Sequence, residues 1–375
     1  MDRRKFIGGA AVAAAGTLAA CGDGNGNGDG STVAAPAVNR NRTRRLRMVT
    51  TWPASFPGLG TAAEATARYV REMSGGALEI QVYGAGEIVG AFEVFDAVSN
   101  GVADMYHAAE YYWQGRSPAF NFYCAVPMGM TAWEIMAWVE YGGGQDLWEE
   151  LSGQFNIIAF QAGNTGHQMG GWFKREINSV SDFRGLRVRM PGLGGDVIRA
   201  MGGAAVALSG GEIYQALQSG AIDATEWVGP WNDMAFGFYR EAPYYYGPGF
   251  HEPGSALAVG INRDVWDSLP ADQQTMIKTA CRAANNQSVA EFTHHNGIAL
   301  QTLVEQHGVQ LRTFTDEIWR EMGRVSEEVV ANAANADAIT RRVYDSYIAS
   351  RRRSREWANV SETPYLQMRE LVLGG

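Results

Sequence analysis

Between Leu46 and Gly84 the apolar positions change rhythm three times. The run LRMVTTWP is short and apolar and is ended by Pro53, which predicts a strand. Gly60 to Met73 carries apolar residues at helical spacing and closes on Ser74-Gly75-Gly76, a helix stop. LEIQVYG, Leu78 to Gly84, alternates and predicts a second strand. A βαβ rhythm of this kind implies a mainly parallel sheet with helices on its faces.

The pattern then repeats itself. EVFDAVSNGVAD (Glu93 to Asp104) matches EIYQALQSGAID (Glu212 to Asp223). In each copy a Glu opens a short amphipathic helix, Gly101 or Gly220 supplies the left-handed position after it, and a short strand leads to an Asp. Two similar α/β lobes are expected. Ligands in open α/β sheets sit beyond the carboxyl ends of strands. Met105 to Tyr112 on one side should therefore face Thr225, Glu226 and Trp227 on the other, across a cleft. The second lobe is expected to open in GNTGHQMGGWF, with a hinge near Gly163 to Gly170 and a return near Glu252 to Val259. Asn262 to Gly375 reads mostly helical, with a break at Leu269-Pro270. The expected division is 46–167 with 253–315 for lobe I, 168–252 for lobe II, and 316–375 for C-terminal helices.

The first 45 residues do not fit this pattern. Arg3-Arg4 followed by Phe6 is a basic start with a twin-arginine look, Ile7 to Ala20 is apolar but too short to span a bilayer, and Leu18-Ala19-Ala20-Cys21 resembles a lipoprotein cleavage site. Residues 1–21 are expected to be an export signal. Residues 22–45, rich in Gly, Asn, Asp and Ala, are expected to be a tether that buries no core. The expected location is periplasmic, with lipid anchoring through Cys21. Past this segment no apolar run of about 20 residues follows. Cys124 and Cys281 lack C-x-x-C spacing and are expected to be free buried thiols. The net charge of −9 carries no nucleic-acid footprint. The 11 tryptophans and 15 tyrosines supply core packing or ligand-cleft lining.

Chemistry concentrates in a few places. In DATEWVGPW, residues 223 to 231, Glu226 sits against Trp227. A carboxylate desolvated there needs a protein cation, a proton or a metal. Arg187 and Arg189 alternate about Val188, so both point to one face of a strand. A guanidinium on that face either clamps a ligand carboxylate bidentately or makes a surface salt bridge. Glu252, in GPGFHEPG, is the second acidic candidate. Two carboxylates beside an anionic ligand would repel it, and a bound cation resolves that repulsion. Carboxylates, an amide oxygen such as that of Gln168, and a backbone carbonyl make a hard oxygen set suited to Na⁺, Ca²⁺ or Mg²⁺ rather than zinc. The histidines show no H-E-x-x-H spacing, and RVRMPGLGGD is neither G-x-G-x-x-G nor a Walker loop. No G-x-S-x-G or nucleophilic-cysteine signature occurs. The alternatives are an enzyme using Glu226 and Glu252 as acid and base, and a binder that uses no metal.

TTWP, NTGHQMGGWF, FRGLRVRMPG, GGEIYQALQSGAIDATEWVGP and YYYGPGFHEPG resemble the extracytoplasmic solute-binding proteins of TRAP transporters, in the branch that binds 2-oxo acids or lactate. The similarity runs from about residue 46 to 372. It implies an α/β fold of periplasmic-binding-protein type, closing on a small organic monoanion that is passed to TRAP membrane subunits, and no catalysis. For the two alternatives it implies a 2-oxo acid as the enzyme's substrate, and a dicarboxylate or sugar acid as the ligand of the metal-free binder. It implies that Arg189 binds the ligand carboxylate and that Gln168, Glu226, the Trp227 carbonyl and Glu252 hold Na⁺ or Ca²⁺, which the ligand also touches. Arg187 matches no functional position, while Asn164 and the Tyr111-Tyr112 pair are implied cleft liners. The branch also implies a homodimer made by exchange of a C-terminal helix, for which Asp316 to Trp357 is the expected source. The lipoprotein signal departs from relatives that are freely soluble in the periplasm.

Overall fold

The computed structural model describes residues 43–374, so the expected signal and most of the tether lie outside the described residues. Arg44 and Arg45, expected in the tether, already pair with Leu78 and Glu79 in the first sheet. In chain order β1 (Arg44–Thr50), β2 (Leu78–Tyr83), β3 (Met105–Ala108) and β4 (Ile157–Asn164) come first. β5 (Gly171–Phe173), β6 (Arg187–Arg189), β7 (Ala204–Val206), β8 (Ala224–Thr225) and β9 (Tyr244–Tyr246) follow. β10 (Ala256–Asn262) and β11 (Gln310–Arg312) come last. They form two sheets, β2-β1-β3-β10-β4 and β11-β9-β5-β8-β6-β7, one per lobe.

Both sheets are mixed. The strands joined through helices, β1 to β3 and β6 to β8, pair in parallel as the rhythm predicts. β10 and β5 pair antiparallel to both their neighbours. They enter straight from the other lobe, with no crossover helix to turn the chain round.

The repeat is one structural unit used twice. Gly101 and Gly220 have φ of 76° and 74°, the left-handed conformation that ends each helix. Glu93 Oε2 accepts the Gly90 N–H at 2.9 Å, and Glu212 Oε2 accepts the Ser209 N–H at 3.0 Å, so each Glu closes its helix start. At the other end Asp104 Oδ2 accepts the Arg47 N–H at 2.7 Å, and Asp223 Oδ2 accepts the Arg187 N–H at 3.1 Å. Each Asp thus pins the start of its strand to the strand beside it.

Two segments, 165–170 and 247–255, cross between the sheets and are bonded to each other. The Thr165 N–H donates to Ser255 O (3.0 Å), Gln168 N–H to Glu252 O (3.1 Å) and Gly249 N–H to Gln168 O (2.9 Å). This ladder brings Gln168 beside Glu252 at the hinge. A third link is the 37-residue helix Ala271–His307, about 55 Å long at the α-helical rise. It starts after the break at Leu269-Pro270, as expected, and packs on Gly60–Met73 and β4 of lobe I and on Pro230–Phe236 of lobe II. The segment 253–315, expected with lobe I throughout, therefore delivers β11 to the second sheet.

Helix Asp316–Ala333 packs on Gly192–Ala200 of lobe II, and Ala338–Ala358 returns to lobe I against Pro118–Tyr123 and Gly144–Gly153. Ile318, Met322, Val343 and Tyr347 are buried there. The stretch expected to supply an exchanged helix thus buries its apolar face on its own chain. Helix Glu362–Leu373 instead leaves Leu366, Met368, Leu371, Val372 and Leu373 exposed. Cys124 and Cys281 are free and buried. Among the described residues no helix is long and apolar enough to cross a membrane.

Candidate functional site

The lobes meet over an aromatic surface. Trp52, Phe56 and Tyr111 of lobe I pack in one buried cluster with Trp172, Trp227 and Val228 of lobe II. Trp52 and Trp227 meet edge to face at 6.3 Å across the cleft. Trp227 also packs edge-on against Phe236 at 5.3 Å. Gly210 makes room for it, since a Cβ there would lie 2.7 Å from the indole.

Arg189 ends β6 and is fully buried. Its alternation partner Arg187 is exposed and ion-paired to Asp223 at 2.6 Å. The shared strand face predicted for the two arginines thus runs from solvent into the cleft, and only Arg189 reaches the interior. Arg189 Nε donates to Leu208 O at 3.1 Å, Nη1 to Glu226 O at 3.1 Å and to Glu226 Oε1, and Nη2 to Tyr112 Oη at 3.4 Å across the cleft. Glu226 follows β8 directly, and its N–H donates to Arg189 O at 3.2 Å. The buried carboxylate next to Trp227 therefore has a protein cation. His251 adds a second contact, Nε2 lying 3.3 Å from Glu226 Oε2.

Glu252 is brought in by the hinge ladder. Gln168 Nε2 donates to Glu252 Oε2 at 2.7 Å and to Thr165 Oγ1 at 3.1 Å. Burial, and then repulsion from Glu226, push Glu252 up to about 7. Burial opposes charge on His251, yet its hydrogen bond and charge contact with Glu226 leave it above its ordinary value. Glu226, His251 and Glu252 each offer a ligand atom within 4.8 Å of the others, all three buried.

The remaining expected residues surround this cluster. Asn164 ends β4 and is buried; its Oδ1 accepts the Gly166 N–H at 2.8 Å. Tyr111 is buried edge-on to Tyr112 at 4.8 Å, and burial raises its hydroxyl well above the ordinary range. The fold thus brings together Gln168, Arg189, Glu226, Trp227 and Glu252, with Tyr111 and Asn164 on the lobe I side. His251 and Trp52 were missed as site residues, although both stand in strings that carry the resemblance, GFHEPG and TTWP.

The donor set fits a hard cation. Arg189 and His251 both contact Glu226, whereas Glu252 is held by the neutral amide of Gln168 and has no ion pair among the described residues, so an ionised Glu252 presents a negative charge at the hinge. Gln168 Oε1 is buried without a hydrogen-bond partner among the described residues, as are Asn164 Nδ2, His251 Nδ1 and Trp227 Nε1. Buried polar atoms are usually hydrogen-bonded, so unpaired ones beside two buried carboxylates leave room for an ion, a water or a ligand. The carboxylates and Gln168 Oε1 are oxygen donors of the kind Na⁺ and Ca²⁺ take. His251 Nε2 is a nitrogen at the edge of this set.

Residues 48–337 match the family described as bacterial extracellular solute-binding protein, family 7 (DctP). A protein of Nostoc sp. (strain PCC 7120), described as a monocarboxylate 2-oxoacid-binding periplasmic protein, is 42% identical over 321 residues, covering 86% of this chain and 88% of its own. The crystal structure of a TRAP periplasmic solute-binding protein from Pseudoalteromonas atlantica T6c, with bound sodium and pyruvate, is 38% identical with a TM-score of 0.84, over 87% of this chain and 99% of that one. The structure of one from Colwellia psychrerythraea, with bound calcium and pyruvate, matches with the same identity, TM-score and coverage. The chain therefore belongs to the DctP family of TRAP-transporter extracytoplasmic solute-binding proteins.

Proposed function

We propose that this protein captures a small 2-oxo or 2-hydroxy monocarboxylate, of the size of pyruvate or lactate, together with Na⁺ or Ca²⁺, and delivers it to TRAP membrane subunits without transforming it. The supporting observation is the buried cluster of Glu226, His251 and Glu252, in which Arg189 pairs with Glu226, Glu252 has no ion pair among the described residues, and Gln168 Oε1 is unpartnered. Glu226, Glu252, Gln168 Oε1 and the Trp227 carbonyl hold the cation. That cation supplies the positive charge on which the ligand's carboxylate and 2-oxygen settle. Arg189 has five N–H donors, and its Nη2 makes only the long contact to Tyr112. Nη2 is left to take the ligand carboxylate. Asn164 Nδ2 and Tyr111 orient the ligand from lobe I, and Trp52 and Trp227 limit its tail. Export and anchoring through Cys21 belong to the same proposal.

Calorimetry with pyruvate, lactate, succinate and galacturonate tests it, each run with Ca²⁺, with Na⁺, and in chelated sodium-free buffer. Pyruvate or lactate is expected to bind with either cation and to lose affinity without both. Cation-independent binding of the dicarboxylate or the sugar acid would overturn the assignment. NMR of pyruvate left with the protein is expected to show it unchanged, and turnover would mark an enzyme.

A further inference from the structure

Asp233 lies in the first turn of helix Pro230–Phe236 and is buried. Its Oδ2 accepts the Trp172 indole N–H at 2.9 Å and the Tyr245 hydroxyl at 2.7 Å. Its Oδ1 accepts the backbone N–H of Val228 at 3.1 Å. Burial pushes this carboxyl up to about 7, against the pull of its three donors. Val228 N–H belongs to the same peptide unit as the carbonyl of Trp227. That unit is trans, and in a trans peptide the N–H and the C=O point in opposite directions within one plane. Whatever holds the N–H therefore aims the carbonyl.

The neighbouring carbonyls are already engaged. Glu226 O accepts from Arg189 Nη1 and from the Thr225 hydroxyl at 2.9 Å, and Val228 O accepts the Met169 N–H at 3.0 Å. Among the described residues nothing donates to Trp227 O. One carbonyl in this run is thus left open, and a buried carboxylate grips the opposite edge of its peptide plane.

We infer that Asp233 is a positioning residue for the cation, holding the Trp227–Val228 peptide so that the Trp227 carbonyl faces the cation beside Glu226. A carboxylate accepting the N–H also drives electron density toward the carbonyl oxygen and makes it a stronger donor. Outer partners of this kind commonly change metal affinity roughly 10–100-fold when removed. The inference rests on the cation-binding role proposed above.

The test is Ca²⁺ calorimetry on wild type, Asp233→Asn and Glu252→Gln, followed by pyruvate titration at low and at saturating Ca²⁺. Asp233→Asn is expected to bind Ca²⁺ about 10–100-fold more weakly and to recover near wild-type pyruvate affinity once Ca²⁺ saturates. A variant that merely damages the fold would not recover in this way, so loss of pyruvate affinity without recovery overturns the inference. Wild-type Ca²⁺ affinity in Asp233→Asn overturns it too. A wild type that binds neither Ca²⁺ nor Na⁺, or a Glu252→Gln variant with undiminished Ca²⁺ affinity, overturns the cation role itself and this inference with it. Should Asp233→Asn fail to fold, the wild-type amide of Val228 carries the test. Coordination of the carbonyl strengthens the N–H bond to Asp233, so the Val228 amide proton is expected to move downfield when Ca²⁺ is added, and a stationary resonance overturns the inference.

Discussion

At the scale of single residues, the question is how one guanidinium serves two masters. Arg189 neutralises Glu226 within the protein and, as proposed, clamps the ligand carboxylate with what remains of its donors. Truncating a desolvated partner of this kind costs about 2–5 kcal/mol. Arg189→Ala is therefore expected to lose at least about 2 kcal/mol of pyruvate affinity in saturating Ca²⁺, measured by calorimetry. Ca²⁺ affinity without pyruvate should not fall, because a positive charge next to Glu226 has gone. Arg187→Ala, altering an exposed pair with Asp223, should leave both affinities alone. Unchanged pyruvate binding in Arg189→Ala would end its role as the clamp. Glu226 stood out in the sequence as an acid beside a tryptophan, whereas the choice of Arg189 over Arg187 and the full set with Gln168 and Glu252 came from the family resemblance, and the roles given to these residues are proposals. His251 and Asp233 were not singled out. Their significance lies in the partners Glu226, Trp172, Tyr245 and Val228, and the fold has to bring most of these together.

At the scale of elements, the repeated helix-glycine-strand unit was the most readable feature. Its Glu, Gly and Asp each do local work, capping, reversing and pinning, within a dozen residues. The antiparallel entry of β5 and β10, and the lobe reached by β11, depend on the crossing segments and carry no local signal. The turn Glu110–Trp113, which carries Tyr111 and Tyr112 to the cleft, raises a different issue. Glu110 is buried at its head, with Oε1 accepting the Tyr106 hydroxyl at 2.6 Å and Oε2 without a hydrogen-bond partner among the described residues. Burial raises it from 4.5 to about 8. At neutral pH it stays protonated in the folded chain and ionised in the unfolded one, so unfolding releases a proton. Stability from this group is present below about 4.5 and is lost as pH rises toward 8, at up to about 1.4 kcal/mol per pH unit for one proton. Denaturant unfolding at pH 5, 6, 7 and 8 should show that downward slope in wild type and a shallower one in Glu110→Gln. Equal slopes would mean that Glu110 does not hold its proton.

At the scale of the whole molecule, the chain runs between its lobes four times: twice in the bonded hinge, once in the helix Ala271–His307, and once as the C-terminal helices return from lobe II to lobe I. That last return accounts for Ala338–Ala358, whose buried Val343 and Tyr347 tie it to lobe I. Tyr347 Oη accepts the Met130 N–H at 2.8 Å. Helix Glu362–Leu373 has no buried residue of its own. Leu371, Val372 and Leu373 are each at least 75% exposed, and Leu366 and Met368 add to the same helix. Exposed apolar side chains clustered on one helix are costly to leave in water, and large exposed apolar patches mark interfaces. A second copy offering the same helix would satisfy it symmetrically, and we propose Glu362–Leu373, beside the expected Asp316–Trp357, as a surface through which two copies would pair. Light scattering of the chain lacking residues 1–21 should then give a dimer, and further truncation after Ser361 a monomer. The truncated chain should keep its pyruvate affinity, because the cut lies outside Arg189, Glu226, Gln168 and Glu252 and leaves Tyr347 in place. A truncated chain that stays dimeric would move the contact to another surface. One that loses pyruvate would mean the helix supports the cleft of its own lobe.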